Sequence, residues 1–472
     1  MIEQAGSTTL AARELARQRQ QFFAEGSPTA HERRERLACL RRMLDEGEAE
    51  LCAAVSADFG LRSPVETRLT DFFLVRSQLE LAHRKLGRWM RKRSLHTPLY
   101  LWPGRSHVQP QPLGVVGVVG TWNYPIATVL APAVCALAAG NRVIAKPSEQ
   151  TPRTSAVLAA LIAKHFAPDV FTAILGGSET AADLTAAPFD HLVFTGSATI
   201  GRKVAAAAAR NLTPVTLELG GKCPAILDQG CDLEAAVSAI AFGKFLNAGQ
   251  TCVGVDYLLA PLAMHGAVVE ALKRQFDRLF PTWPASEDYT HIASERHFDR
   301  LTDLLRDAVD RGAQIVPLSD RTPGSGRAFP PTVVLNATPD MRLMREEIFG
   351  PILPILACED ADEAVAYVNA RDKPLALYWF GRDEAARDRV LERTYSGGAT
   401  INGAATHVFQ RNLGFGGVGA SGMGEYFGET GFRRFSKEKP VFTHGPINGL
   451  KLFAPPYSAR TDWLLSLLER LI

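Results

Sequence analysis

Apolar residues recur at helical spacing near the amino terminus. Leu37, Leu40, Leu44, Leu51 and Val55 do so within 29–57, and Leu69, Phe72, Leu79 and Leu86 within 65–93. Steps of three and four residues place each set on one face, so the spacing predicts two amphipathic helices. Pro98, Pro103, Gly104, Pro110 and Pro112 then interrupt the pattern. The short extended pieces between them suit an exposed strand-turn-strand arm.

From residue 113 the rhythm changes. β-Branched runs at 114–119, 142–145, 171–175, 191–194, 214–219 and 224–227 alternate with Ala-rich stretches at 126–139, 151–166, 200–210 and 232–245. Strands alternating with helices predict a parallel sheet covered on both faces. A looser alternation from about 256 to 402, with helices near 265–280, 297–311, 361–370 and 384–394, predicts a second α/β unit. Residues 412–431 are Gly-rich, and no internal repeat is visible.

At 472 residues the chain exceeds one ordinary core and predicts two or three domains. Its 46% hydrophobic and 22% charged residues are those of a soluble globular protein, and a net charge of +2 gives no reason to expect a polyanionic partner. The basic run from Arg84 to Arg93 lacks interleaved aromatics, so it reads as a solvated helix end rather than a nucleic-acid patch. The seven cysteines are odd in number and show no CxxC spacing, and the histidines show no HExxH. Neither a disulfide framework nor a metal site is expected, and reduced thiols point to the cytoplasm. No apolar core like a signal peptide's is seen near the start, and no apolar run reaches 18 residues. The amphipathic stretch Trp463–Ile472 is expected to pack on its own chain or a second subunit rather than anchor in a membrane.

Several stretches could carry chemistry. Cys252 ends Asn247-Ala-Gly-Gln-Thr-Cys252, where Gly249 and polar neighbours allow a loop that exposes a thiol beside backbone N–H groups. A thiolate adds to a carbonyl carbon, and the oxyanion that forms needs fixed donors. Glu218 closes a strand-like run and precedes Gly220-Gly221; buried there, its carboxylate could activate water. Asn123, in Thr121-Trp-Asn-Tyr-Pro125, could offer an amide N–H at a strand end. Gly196, Ser197 and Gly201 lie where a strand passes into a helix, a setting that can bind a pyrophosphate. Lys146 and Glu149, at the end of the earlier strand 142–145, suit ribose hydroxyls. Glu346-Glu347-Ile-Phe349 sets a carboxylate beside an aromatic ring. Taken singly, each has a plain structural reading: a buried cysteine, a paired glutamate, a turn asparagine, a solvated charge pair. Gly417-Val-Gly-Ala-Ser-Gly422 matches GxGxxG but has no preceding strand or following βαβ unit, so it reads as a tight loop.

Taken together and in order, these motifs resemble the aldehyde dehydrogenase superfamily from about 110 to 440. The resemblance is closest to its class 3 branch and, within that, to the coniferyl aldehyde dehydrogenases. Gln111-Pro-Leu-Gly-Val-Val, Phe242–Gln250, Ser436–Phe442 and Asn448-Gly-Leu-Lys carry the subgroup resemblance. It implies a Rossmann-like cofactor domain (1–95, 113–217 and 403–428), a second α/β catalytic domain (218–402), a small β oligomerisation arm (96–112 and 429–443) and a tail from 444 to 472. It further implies Cys252 as nucleophile, Glu218 as general base and Asn123 as oxyanion donor with the Cys252 N–H. Lys146 and Glu149 would hold the adenine-side ribose; Trp122, Gly196 and Ser197 would line the phosphates. Glu347 would hold the nicotinamide ribose, with Phe349 against the ring.

The resemblance implies NAD as cofactor, with NADP also accepted in this branch, and a homodimer. Glu149 would repel a 2′-phosphate and favours NAD. The implied reaction is aldehyde to carboxylic acid, on an aromatic coniferyl-type substrate or, as the alternative, a medium- or long-chain aliphatic one. A CoA-acylating enzyme fits poorly with Glu218, and a cysteine hydrolase without redox chemistry fits poorly with the ribose and phosphate motifs. Cys223, Gly254-Val255 and Gly414 depart from the usual pattern, and none of them removes a catalytic group. The last two bear on the shape of the substrate tunnel.

Overall fold

A computed structural model describes residues 9–323, 326–446 and 449–470; Asn448, in the last of the subgroup motifs, lies outside them. Six strands form one sheet in the order Gly422–Met423, Val215–Leu219, His191–Gly196, Val115–Val119, Arg142–Lys146 and Phe171–Ala173. All are parallel except the short Gly422–Met423 edge. Val115–Val119 and Arg142–Lys146 are buried at every position, as central strands covered on both faces must be. The chain fills the sheet outward on one side of Val115–Val119, then returns to add His191–Gly196 on the other. The order therefore reverses between these two strands, and their carboxyl ends frame the crevice where open α/β sheets bind ligands.

A second sheet has seven strands: Gln314–Pro317, Thr332–Leu335, Ile352–Ala357, Tyr257–Ala260, Pro224–Leu227, Ala376–Phe380 and Gly398–Ile401. Only the Gln314–Pro317 edge is antiparallel. The third sheet is antiparallel and joins Arg93–Leu95, Arg105–Pro112 and Ser436–Thr443, the last two paired over eight positions. Chain that is far apart in sequence thus forms one sheet.

Helix and strand positions follow the hydrophobic pattern closely; Ala127–Ala139, Pro152–His165, Ala198–Ala209 and Leu233–Phe245 fall within about two residues of expectation. The helix Ala30–Phe59 starts at a capping box, in which Thr29 accepts the Glu32 N–H and Glu32 accepts the Thr29 N–H. It buries Leu37, Leu40, Leu44, Leu51 and Val55, all of the expected stripe.

One expectation needs correction, and one helix was not expected. The stretch 65–93 is not one helix. Pro64–Thr67 runs into a π-helical turn, Arg68–Phe72, before the helix Phe73–Trp89. The Phe73 N–H reaches back five residues to the Arg68 carbonyl. The extra residue rotates Leu69 outward, where it is exposed, and turns Thr70 and Asp71 inward. A further helix, Leu10–Glu25, packs Ala11 and Leu15 against the six-stranded sheet, and its buried Gln18 donates to the Val143 and Pro168 carbonyls. The tail helix Ala459–Glu469 buries no residue and leaves Trp463, Leu465 and Leu467 exposed. No helix among the described residues is long and apolar enough to cross a membrane.

Candidate active site

Loops from both large sheets meet at a cavity of about 700 Å³. Its wall includes Trp122, Asn123, Gly196, Ser197, Glu218, Cys252, Glu347 and Phe349, eight of the eleven residues singled out in the sequence. Lys146, Glu149 and Gly201 lie outside it. Lys146 and Glu149 form an ion pair beyond the strand that pairs Lys146 with Val119, along the same carboxyl edge as the Asn123 loop. A Cβ on Gly201 would meet Leu219 at 2.6 Å, so its smallness serves the packing of helix on strand.

Cys252 follows a run of three left-handed residues, Asn247 (φ 53°), Ala248 (φ 50°) and Gly249 (φ 75°). Only Gly adopts that conformation without cost, and two non-glycine residues held there are strain kept by tertiary contacts. The contacts are explicit. Asn247 Nδ2 donates to the carbonyls of Asn123 (3.0 Å) and Gln250 (3.1 Å), and Gln250 Nε2 donates to those of Asn247 (3.0 Å) and His291 (3.1 Å). Asn123 Nδ2 donates to the Gln250 carbonyl at 3.1 Å, which engages one of its two N–H groups. Tyr124 Oη and Thr251 Oγ1 lie 2.5 Å apart and tie the two loops a second time.

Electrostatics set the resting state of this site. Burial, with Glu347 and Glu218 adding to it, pushes the Cys252 thiol up to about 12. Glu218 is 3% exposed, and neither carboxylate oxygen has a hydrogen-bond partner among the described residues. Burial and then the nearby Glu425 raise its carboxyl well above the usual range. Glu425 follows the Gly-rich segment: Gly422 pairs with Glu218 across the sheet edge, so the GxGxxG stretch is a loop laid against Glu218 rather than a dinucleotide turn. Burial likewise raises Glu347 to about 8, and the Gly221 N–H opposes that rise. A Cβ on Gly220 would stand 1.9 Å from Glu347 Oε2, so the glycine is what admits this carboxylate. Lys222 pairs with Asp256 and donates to the carbonyls of Leu343 (2.7 Å) and Glu346 (3.1 Å); Asp256 in turn accepts the Ile348 N–H at 2.8 Å. These bonds hold the Glu347 loop in place.

Some wall residues carried no sequence signal. His297 and Arg300 come from the helix Glu295–Asp310 of the other α/β unit. The Trp122 ring lies 4.8 Å from that of His297 and 5.4 Å from that of Phe349. Arg300 donates to the Glu347 carbonyl at 3.1 Å. His297 Nε2 and Thr195 Oγ1 are buried without partners among the described residues, and both residues face the cavity. Buried polar atoms are normally paired, so these two mark where a polar ligand completes the site. No cluster suited to a metal ion occurs among the described residues.

The sequence pattern of the aldehyde dehydrogenase family matches residues 4–441. The chain belongs to the aldehyde dehydrogenase family. A probable coniferyl aldehyde dehydrogenase of Caulobacter vibrioides is 45% identical, over 94% of this chain and 93% of that one. Mouse aldehyde dehydrogenase family 3 member A2 is 37% identical, over 96% and 93%. Among solved structures, substrate-bound Staphylococcus aureus AldH superposes with a TM-score of 0.91 at 35% identity, covering 98% of this chain and 100% of that one. The α/β fold expected from the resemblance is therefore the observed one, and the activity is that of an aldehyde dehydrogenase, oxidation of an aldehyde to the acid.

Proposed function

We propose that this aldehyde dehydrogenase oxidises an aromatic aldehyde of the coniferyl type, using NAD and tolerating NADP, with Cys252 as nucleophile. The observation that carries the substrate class is the aromatic lining beyond Cys252. Phe415 stacks on Phe427 (5.3 Å, 21°), Tyr426 stands edge-on to Phe427 at 4.8 Å, and Tyr124 and Phe409 complete the wall. Planar rings pack favourably on stacked and edge-on rings. The naming of the Caulobacter relative points the same way.

The chain's own groups account for the chemistry. The Cys252 thiol gives its proton to solvent water, and the resulting thiolate attacks the aldehyde carbon and forms a thiohemiacetal. The proton that Glu218 later takes from water is the one returned to the sulfur. The second Asn123 N–H and the Cys252 backbone N–H hold its oxyanion. Held in the site, NAD(P) would supply the acceptor for the hydride that leaves the thiohemiacetal carbon. A thioester then remains on Cys252. Glu218, buried and unpartnered, takes a proton from water, which attacks the thioester; the acid leaves and the thiol is restored. The residues present fit the dinucleotide. Ser197 caps the helix Ala198–Ala209, whose free N–H groups suit a phosphate, and the orphaned His297 Nε2 and Thr195 Oγ1 face the same space. Glu347 and Phe349 suit the nicotinamide ribose and ring, and Lys146 and Glu149 the adenine-side ribose. The exposed Glu149 carboxylate disfavours a 2′-phosphate.

A homodimer is part of this reading. The arm leaves Leu95, Leu99, Tyr100, Trp102 and Phe442 exposed, and the tail helix adds Trp463, Leu465 and Leu467. So much apolar surface suits a second copy of the chain. Seven cysteines free of disulfides support a cytoplasmic location. The test is kcat/KM for hydroxycinnamyl, benzyl and long aliphatic aldehydes with each cofactor. A hydroxycinnamyl aldehyde with NAD should rank first; a long aliphatic aldehyde ranking first would overturn the substrate class.

A further inference from the structure

Beneath the two catalytic loops lies a charged cluster that the reaction scheme does not use. Arg62 has no exposed surface. Its Nη1 donates to the Asn123 carbonyl at 2.9 Å and its Nη2 to Thr70 Oγ1 at 2.8 Å. It is ion-paired to Asp71 and Glu66, each at 3.3 Å, and lies 5.1 Å from the centre of the Tyr124 ring. Each carboxylate passes the contact on to a different loop. Asp71 Oδ1 accepts the N–H groups of Ile126 (3.1 Å) and Ala127 (2.8 Å), the start of the helix Ala127–Ala139, where no local side chain provides a cap. Glu66 Oε2 accepts the N–H of the left-handed Asn247 at 3.2 Å, and its Oε1 accepts Thr290 Oγ1 at 2.9 Å.

Two features argue for more than stability. Replacing a buried ion cluster by apolar packing is often neutral or stabilising, so cohesion alone is a weak reason for three buried charges. The contacts are also selective. The Asn123 carbonyl receives one donor from Arg62 and one from Asn247, which fixes the peptide bearing the oxyanion donor relative to the chain leading into Cys252. The π-helical turn at Arg68–Phe72 is what lets Thr70 and Asp71 face Arg62 while Thr70 also faces the cavity.

We propose that Arg62, through Glu66 and Asp71, is a positioning residue that sets the spacing between the Asn123 amide and the Cys252 loop, and hence the geometry of the oxyanion site. The inference rests on the reading of Asn123 as oxyanion donor, and the test separates the two. Steady-state kinetics on a turned-over aldehyde compare wild type, Arg62→Met, Asn123→Ala and the double variant. Arg62→Met should lower kcat on the order of 10²-fold, leave the KM for NAD within about twofold, and lose less than about threefold more once Asn123 is Ala. A purely structural role would give equal losses in both backgrounds. Arg62→Lys, which keeps the charge but not the fork, should fall between wild type and Met.

If Arg62→Met does not fold, Glu66→Gln carries the same cycle: it keeps an acceptor for the Asn247 N–H and removes the charge. Its loss, on the order of tenfold, should likewise shrink in the Asn123→Ala background. Multiplicative losses in either cycle, or a rise confined to the KM for NAD, overturn the inference. An Asn123→Ala enzyme of undiminished kcat overturns the oxyanion reading and the inference with it.

Discussion

Glu218→Gln is the sharpest test of the hydrolytic half of the reaction. The substitution keeps the shape of a side chain that is 3% exposed and removes a carboxylate whose two oxygens have no partners among the described residues. A general base in the transition state contributes about 10²–10⁴-fold, so kcat should fall by that much while NAD binding is unchanged. Acylation does not need this base, so a stopped-flow trace should show a burst of NADH near one per site, and intact mass should show the acyl group on Cys252. The pH dependence follows from the raised carboxyl. The group is a base only when ionised, so wild-type turnover should rise with pH through its folded pKa, and the variant should lose that limb. Stability runs the opposite way. Below the ordinary value of 4.5 the carboxyl is protonated in both states and nothing changes. Above it the unfolded chain ionises and the folded one resists, so stability declines as pH rises toward the folded pKa, at about 1.4 kcal/mol per unit of elevation. Glu218→Gln should remove that decline and gain thermal stability over the wild type at alkaline pH. Unchanged kcat with no burst would refute the assignment of Glu218; a Tm difference that does not vary with pH would refute the account of its burial.

Three further outcomes are expected. Glu347→Gln removes the charge that, after burial, most raises the Cys252 thiol once Glu347 is ionised, so iodoacetamide should alkylate the variant roughly three- to tenfold faster at a fixed pH above the Glu347 value of about 8; a slower or equal rate there would contradict the proposed coupling. Gly220→Ala places a Cβ 1.9 Å from Glu347 Oε2 and must displace that carboxylate, so the KM for NAD should rise several-fold, on the order of 1 kcal/mol of binding, while the aldehyde KM holds. Leu40→Ala, at a fully buried position of the helix Ala30–Phe59, should cost about 2–5 kcal/mol in urea unfolding with kcat per folded enzyme retained.

Much of this molecule was legible along the chain. Parallel strands read as short β-branched runs because they are buried on both faces, and helices as stripes because they are buried on one. The Cys252 loop, Glu218 and the turn at Gly196-Ser197 each showed local chemistry: a glycine near a thiol, glycines after a glutamate, a serine at a helix start. Where a reading depended on a residue's own neighbours in sequence, the pattern was enough to propose it. The π-helical turn escaped, because one inserted residue shifts the apolar period by less than the scatter of the pattern itself, and so Leu69 was expected inside.

What periodicity could not disclose were partners brought together by folding. His297 and Thr195 look like ordinary polar residues until burial removes their water and leaves them facing a cavity. Arg62, Glu66 and Asp71 look like a solvated helix start until the turn at Arg68–Phe72 swings them under two loops from elsewhere in the chain. The amino-acid order therefore determined the elements and marked Cys252 and Glu218 as candidates, since these follow from local preference and side-chain chemistry. Tertiary structure alone decided the raised carboxyl of Glu218, the strained path into Cys252 and the placing of Asn123 beside that path. Those depend on desolvation and on contacts across more than a hundred residues of chain, and no window of sequence contains them.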